Sequence, residues 1–334
     1  MTAAVALPYA GSQAGEVKSI AVLVPEQGTD YGWNQQGVDA ARAVAEKYGL
    51  EFMPAEGLGY GDVRPTLREL AAEGASLMIA HASGYNTAAP EIAEETGVPV
   101  AVVDSPGALK AGLITDYTLS GHDGAFLAGH LAAKMTRTGT VGIVVSGEPP
   151  SWNSQSAAFA MGVKGASDSI NIIYAVIGPA AYGDAAGGRR VTESVISAGA
   201  DVVFGQGNGS SFGMIQAVET TKAIDGGKVW FIDVIGDKSE LDKGHLLSSV
   251  LWNMEPVYSA MVEDLKADIF GTRGYQIGLA DDSVQLLKTK HISDDDWNEL
   301  MALRAEIIAE NIKVDEIYDA QEVRALMSSV EAQE

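Results

Sequence analysis

Ten apolar, β-branched runs separated by stretches of helical period set the tightest limit on how this chain can fold. The first five are SIAVLV (19–24), LEFMPA (50–55), SLMIA (76–80), VPVAVVD (98–104) and LITDY (113–117). Between the first two, Val38, Ala41, Ala45 and Tyr48 recur at helical spacing and predict a helix over 34–48. Gly74 reads as a helix stop. Strand following helix in strict alternation implies parallel sheets with helices on both faces, an α/β architecture.

The pattern then restarts. After a helix at about 120–136 come TVGIVVS (140–146), INIIYAVIG (170–178), DVVFGQ (201–206), VWFIDVIG (229–236) and LLSSVLW (246–252). Two successive sets with no Pro- or Ser-rich linker between them suggest two similar lobes joined by crossing segments. A further strand-like piece, YQIGLADDSVQLL, and two C-terminal helices (about 294–311 and 319–332) are expected to pack back on the first lobe. The expected division is residues 18–122 plus 253–334 in the N-terminal lobe and 123–252 in the second, with 1–17 a flexible front. That front has no basic residue before Lys18, and its apolar stretch is too short for a signal-peptide core. It is the start of a mature exported chain or an ordinary disordered terminus.

Ligands of open α/β sheets bind beyond the carboxyl ends of the strands, so the loops after each strand are where function is sought. Trp33, Tyr85, Trp152, Tyr182 and Trp252 all fall in or beside such loops. Taken singly, each is as readily explained by packing, and Asp62, Asn153 and Asp184 by turns and caps. Their co-occurrence is what resists that reading, because a turn needs Gly or Asn and not Trp. A cleft with aromatic walls suits a flat heterocycle or a sugar ring.

Several classes of function are disfavoured. Acidic residues outnumber basic ones by 45 to 22, and the net charge of −23 repels nucleic acid and anionic membranes. With no cysteine, thiol nucleophiles and thiolate metal sites are excluded. The five histidines, His81, His122, His130, His245 and His291, show no metal-ligand spacing. GQGNGSSFG fits neither a dinucleotide fingerprint nor a P-loop. No catalytic residue, metal or cofactor is assigned.

TDYGWNQQGVDAARAVAEKYG resembles a signature of the basic membrane protein family, the purine-nucleoside-receptor type of ABC-transporter solute-binding proteins. Further collinear similarities are YGDAAGGRRVTESVISAGADVVFGQGNGSSFGMIQAVE (182–219), LLSSVLWNMEPVYSAMVEDL and HISDDDWNELMALRAEIIAENIKV, so the resemblance runs from Lys18 to about Val314. It implies a two-lobed periplasmic-binding-protein type I fold, each lobe a parallel sheet flanked by helices, with three crossovers. It also implies a monomeric, extracytoplasmic protein that closes on a purine nucleoside or base and delivers it to ABC permease subunits. By position, Trp33 stands for the family's stacking Phe, Asp30 and Asn34 keep its polar pair, and Asp104 matches an acid that contacts the ligand. Tyr182 falls near the second aromatic, and Gly205 to Asn208 on a loop lining the second lobe.

Two departures stand out. The family's acid after the strand at 229–235 is replaced by Ile235, with Asp237 two residues on, and its Lys at the end of LTSVLK by Trp252. Losing both groups at the ribose side points to a smaller or more apolar planar ligand, such as a free purine base or another heterocycle. A slip of the register would instead leave Asp237 in the ribose-binding role. A different heterocycle or small sugar, an effector-binding domain of a regulator, and a nucleoside-processing enzyme on a similar scaffold are the alternatives.

Overall fold

A computed structural model describes residues 16–328, so the front expected to be flexible lies largely outside the described residues. The chain opens with strand β1 (Ser19–Leu23), helix α1 (Trp33–Tyr48), β2 (Glu51–Ala55), α2 (Arg64–Ala72), β3 (Met78–Ala80), α3 (Ala88–Thr96), β4 (Val100–Val103) and β5 (Ile114–Thr118). It then runs through α4 (His122–Met135), β6 (Thr140–Val145), α5 (Pro150–Ala166), β7 (Asn171–Val176), α6 (Ala185–Ser197), β8 (Val202–Gln206), α7 (Ser210–Thr220), β9 (Trp230–Ile235) and β10 (Leu246–Trp252). The last elements are α8 (Glu255–Lys266), β11 (Tyr275–Gln276), β12 (Val284–Leu286), α9 (Asp294–Ile308) and α10 (Ala320–Ser328).

Two six-stranded sheets result, in the orders β11-β5-β4-β3-β1-β2 and β12-β10-β9-β8-β6-β7. All pairings are parallel except β10 with β12, and the central strands are buried from end to end, as strands covered by helices on both faces must be. Helix α1 shows how the sequence builds a covering layer. Asn34, Gly37, Val38, Ala41, Val44 and Ala45 form its buried stripe, and Gly49, in the left-handed conformation at φ 67°, ends it. The chain passes between sheets after β5, after β10 and between β11 and β12. These three crossings make the two-lobed type I periplasmic-binding-protein architecture expected from the sequence.

The C-terminal region departs from expectation. Helix α8 packs on α1 and β11 joins the first sheet, but β12 pairs with β10 in the second. Helix α9 packs on α4, and α10 on α5 and β7. The side chains explain the placement. Val284 and Leu286 of β12 are buried while Gln285 faces out. Lys134 of α4 pairs with Asp296 at 2.9 Å and with Glu299, and His130 meets Glu299 at 3.0 Å. Val323 and Met327 of α10 are buried, and Arg324 pairs with Glu148. The expected single strand over YQIGLADDSVQLL is thus two short strands, one in each sheet, joined by the third crossing.

Helices α4 and α5 meet backbone to backbone. A Cβ on Gly129 would lie 2.0 Å from the Phe159 carbonyl oxygen, and one on Gly162 would lie 2.0 Å from that of Phe126. Gly165, an exposed glycine in the same helix, would meet nothing nearer than 3.7 Å. Alanine gains up to ~1 kcal/mol of helix propensity at any of these sites, but overpacking costs about 1–3 kcal/mol where backbones touch. Gly129→Ala and Gly162→Ala should therefore lower the urea unfolding midpoint, while Gly165→Ala leaves it unchanged or raises it.

Candidate ligand-binding cleft

The carboxyl ends of the two sheets face each other across a cavity of about 140 Å³. The first lobe contributes Trp33, Tyr60, Ala82, Ser83, Val103 and Asp104. The second contributes Pro149, Ser151, Trp152, Tyr182, Asn208 and Ile235, and Leu119 and Trp252 come from the crossings. Among the described residues, no Lys, Arg or His belongs to this wall. A nearby cation, Lys238, is buried and pairs with Asp233 at 2.5 Å. A roomier hollow of about 530 Å³ runs along edge strand β7 and α10, but it belongs to one lobe only and lies at a sheet edge.

Trp33 is held at the cavity by the turn that precedes it. The Asp30 carboxylate accepts the Gly32, Asn34 and Gln35 N–H groups at 2.9, 3.1 and 3.0 Å, and the Asn34 amide at 2.7 Å. Asn34 Oδ1 in turn accepts the Glu26 N–H at 3.1 Å. This caps the first turn of α1 and aims its first residue into the cleft. The half-buried indole stacks on the His81 imidazole at 3.5 Å and 12°, donates from Nε1 to the His81 carbonyl at 2.9 Å, and meets the Trp252 ring at 6.2 Å and 90°. His81 covers one face, and the indole lines the cavity.

Asp104 is the ionisable acid of the wall. Its Oδ1 accepts the Leu119 N–H at 2.9 Å, tying β4 to the first crossing. The carboxyl sits deep among protein atoms, yet its surface stays accessible from the cavity. Burial pushes it up to about 6, the Leu119 hydrogen bond opposes the rise, and the Asp116 charge adds to it. Asn208 supplies a buried Oδ1 with no partner. Such an unmet acceptor costs about 1–3 kcal/mol. Asp104 and Ile235 both have left-handed backbone, at φ 49° and 72°, which for β-branched Ile235 is a strained geometry of the sort found at ligand clamps.

Of the residues singled out from sequence, Trp33, Asp104, Trp152, Tyr182, Asn208 and Trp252 come together on this wall. Trp152 and Tyr182 meet edge to face at 5.3 Å. The others lie elsewhere. Asp30 and Asn34 spend their polar atoms on the turn just described. Tyr85 is fully buried in the first lobe and donates its hydroxyl to the Gly59 carbonyl at 2.7 Å. Gly205 is internal to β8, where a Cβ would strike the Phe231 ring at 2.5 Å. Asp237 accepts the Ser239 N–H and lines an outer hollow with Tyr31, Gln35, Gln36 and Glu240, whereas Ile235 lines the cavity itself. Of the two, Ile235 is the one on the cavity wall.

Sequence reasoning missed Tyr60, Ser83 and Ser151. Tyr60 is an aromatic in the loop after β2, the same signal that drew notice to Trp33. Among the described residues no cluster of acidic or histidine side chains could hold a metal ion.

An aromatic cavity between two parallel-sheet lobes, with no cationic side chain among its described lining residues, suits the capture of a small solute. Over residues 17–318 the chain matches the family described as ABC transporter substrate-binding protein PnrA-like, and it belongs to that family. It is 24% identical over 311 residues to basic membrane protein A1 of Borrelia garinii subsp. bavariensis, covering 91% of this chain and 90% of that protein. Its identity to the transcriptional activator protein med of Bacillus subtilis is 24% over 250 residues, 75% of each chain. A solved ABC transporter system solute-binding protein from Aeropyrum pernix K1 superposes with a TM-score of 0.78 at 17% identity, covering 94% of this chain and 98% of that one. At that identity the likeness is one of fold.

Asp104 gives a pH signature free of any ligand. Its carboxyl titrates near 3.8 in the unfolded chain and at about 6 when folded, so the folded state binds the proton more tightly. The group therefore detracts from stability above about pH 6, and the penalty fades as pH falls toward about 4. Asp104→Asn should raise the thermal midpoint at about pH 7.5 and lose that advantage by about pH 4. A difference independent of pH would contradict the placement of this carboxyl.

Proposed function

We propose that the protein is the solute-capturing part of an ABC importer, gripping a flat, uncharged nitrogen heterocycle of nucleobase size and passing it to membrane permease subunits. The carrying observation is the wall itself: five aromatic rings, Trp33 among them, and one carboxylate, with no cationic side chain among the described residues. A ligand bearing phosphate or carboxylate would find no counter-charge there. A ring N–H facing the Asp104 carboxylate would gain a charge-assisted hydrogen bond of about 1.5–3 kcal/mol. Ring stacking adds about 0.5–1.5 kcal/mol to area burial, and micromolar affinity needs about 8 kcal/mol in all.

The base is favoured over its nucleoside. About 140 Å³ is small against the ~300–1,000 Å³ of pockets for larger ligands. Ile235 and Trp252 also present apolar surface where the family resemblance puts an acid and a lysine for ribose. A binding rather than a catalytic role fits the lining serines Ser83 and Ser151, which have no histidine beside them on the wall. The net charge of −23 fits a carrier better than a protein that itself binds DNA. None of the helices among the described residues is long and apolar enough to cross a membrane, and a monomer suffices to form the site.

Isothermal titration calorimetry with hypoxanthine and adenine against inosine and adenosine tests this reading. The bases should bind at least about tenfold tighter than their nucleosides, and Trp33→Ala should weaken them at least about tenfold, a difference of about 1.4 kcal/mol. Tighter binding of a nucleoside would overturn the preference for the base; binding of simple sugars alone would overturn the proposal.

A further inference from the structure

Behind the cleft lies a buried polar cluster that ligand contact does not explain. His81 is fully buried at the end of β3, directly beneath the Trp33 indole. The two residues exchange hydrogen bonds: Trp33 Nε1–H donates to the His81 carbonyl at 2.9 Å, and His81 Nε2 lies 3.0 Å from the Trp33 carbonyl. A carbonyl can only accept, so Nε2 carries the proton. Burial lowers the imidazole to about 3, which leaves it neutral, and Nδ1 is then a lone-pair acceptor. Two hydroxyls compete for that lone pair, Tyr117 at 2.6 Å and Tyr258 at 2.7 Å, themselves 3.5 Å apart.

The partners come from the hinges. Tyr117 lies on β5 immediately before the first crossing, and Tyr258 on α8 immediately after the second. On α1, Gly37 leaves room for the imidazole, since a Cβ there would lie 2.5 Å from the ring. The imidazole thus ties the cleft-lining first residue of α1 to one residue beside each of the first two crossings.

We propose that His81 is a positioning residue: it presets the orientation of Trp33, and the Tyr117 and Tyr258 hydroxyls lock its tautomer, so that the ligand-facing indole is registered to the two hinge segments as well as to its own turn. A preset ring spares the ligand the entropic cost of ordering it. The ligand-free consequences stand alone; only the effect on affinity rests on the nucleobase reading above.

The test uses the full chain. In ligand-free protein at about pH 7, nitrogen-15 NMR of the histidine rings should show His81 as the neutral Nε2–H tautomer. Trp33 emission, isolated by difference against Trp33→Phe, should become more open to acrylamide quenching in His81→Phe, in Gly37→Ala and in the double variant Tyr117→Phe/Tyr258→Phe. The two tyrosine replacements should be coupled, the double losing more than the sum of the singles, because either hydroxyl can serve the one lone pair. Hypoxanthine affinity should fall at least about fivefold in the double variant with its circular dichroism unchanged. An Nδ1–H tautomer, or Trp33 quenching unaltered in every variant that folds, would overturn the proposal. If hypoxanthine fails to bind the parent protein, the nucleobase reading falls, while tautomer and quenching still decide the role of His81. Should His81→Phe not fold, Gly37→Ala and the tyrosine pair carry the test.

Discussion

Trp33 and His81 lie face to face at 3.5 Å, each aimed at the other's backbone carbonyl, and the cleft is organised around that pair. Two parallel sheets bring their strand ends together, but such ends are loops, and loops do not by themselves hold a large ring still. Here the ring is the first residue of a helix whose N-terminal turn is saturated by one carboxylate, Asp30. It rests on an imidazole fixed from behind by two tyrosines. The opposite wall, Trp152 against Tyr182, belongs to the other lobe, so motion about the three crossings would open and close the space between aromatic surfaces.

Charge is distributed to the same end. The chain carries a net −23, yet among the described residues only one carboxyl, Asp104, lies on the cavity wall, and burial raises it rather than an ion pair lowering it. The nearby Lys238 is consumed by Asp233. Among the described residues, the wall offers one acid within a largely aromatic and aliphatic surface, a composition that rewards N–H donors and gives anions no counter-charge. Left-handed backbone at Asp104 and Ile235 places strain, of order 1–3 kcal/mol at each position, beside the ligand space.

The alternation of apolar runs made both sheets legible, because buried parallel strands need continuous Val and Ile and the helices between them need a single apolar stripe. The end of the chain was not. β11 and β12 are two and three residues long, below what periodicity can detect, and the lobe on which α9 and α10 pack is decided by Lys134, Glu148 and their distant partners. At the cleft, four of the five aromatics noted after strands, Trp33, Trp152, Tyr182 and Trp252, lie on the cavity wall. Tyr85 failed as a guide because its loop turns inward and offers Ser83 instead. Asp30 and Asn34 belong to the resemblance yet serve the turn, since short polar side chains beside a helix start satisfy its free N–H groups first. Nothing in the local sequence marks His81; its partners lie 36, 48 and 177 residues away.

The central claim is that a planar ring is gripped against the exposed face of Trp33. A crystal structure grown with a purine base reads it directly. The account expects the base parallel to the indole, on the side away from His81, with a ring or amino N–H directed at Asp104. A base lodged in another hollow, or an indole swung off His81 to admit it, would contradict the account.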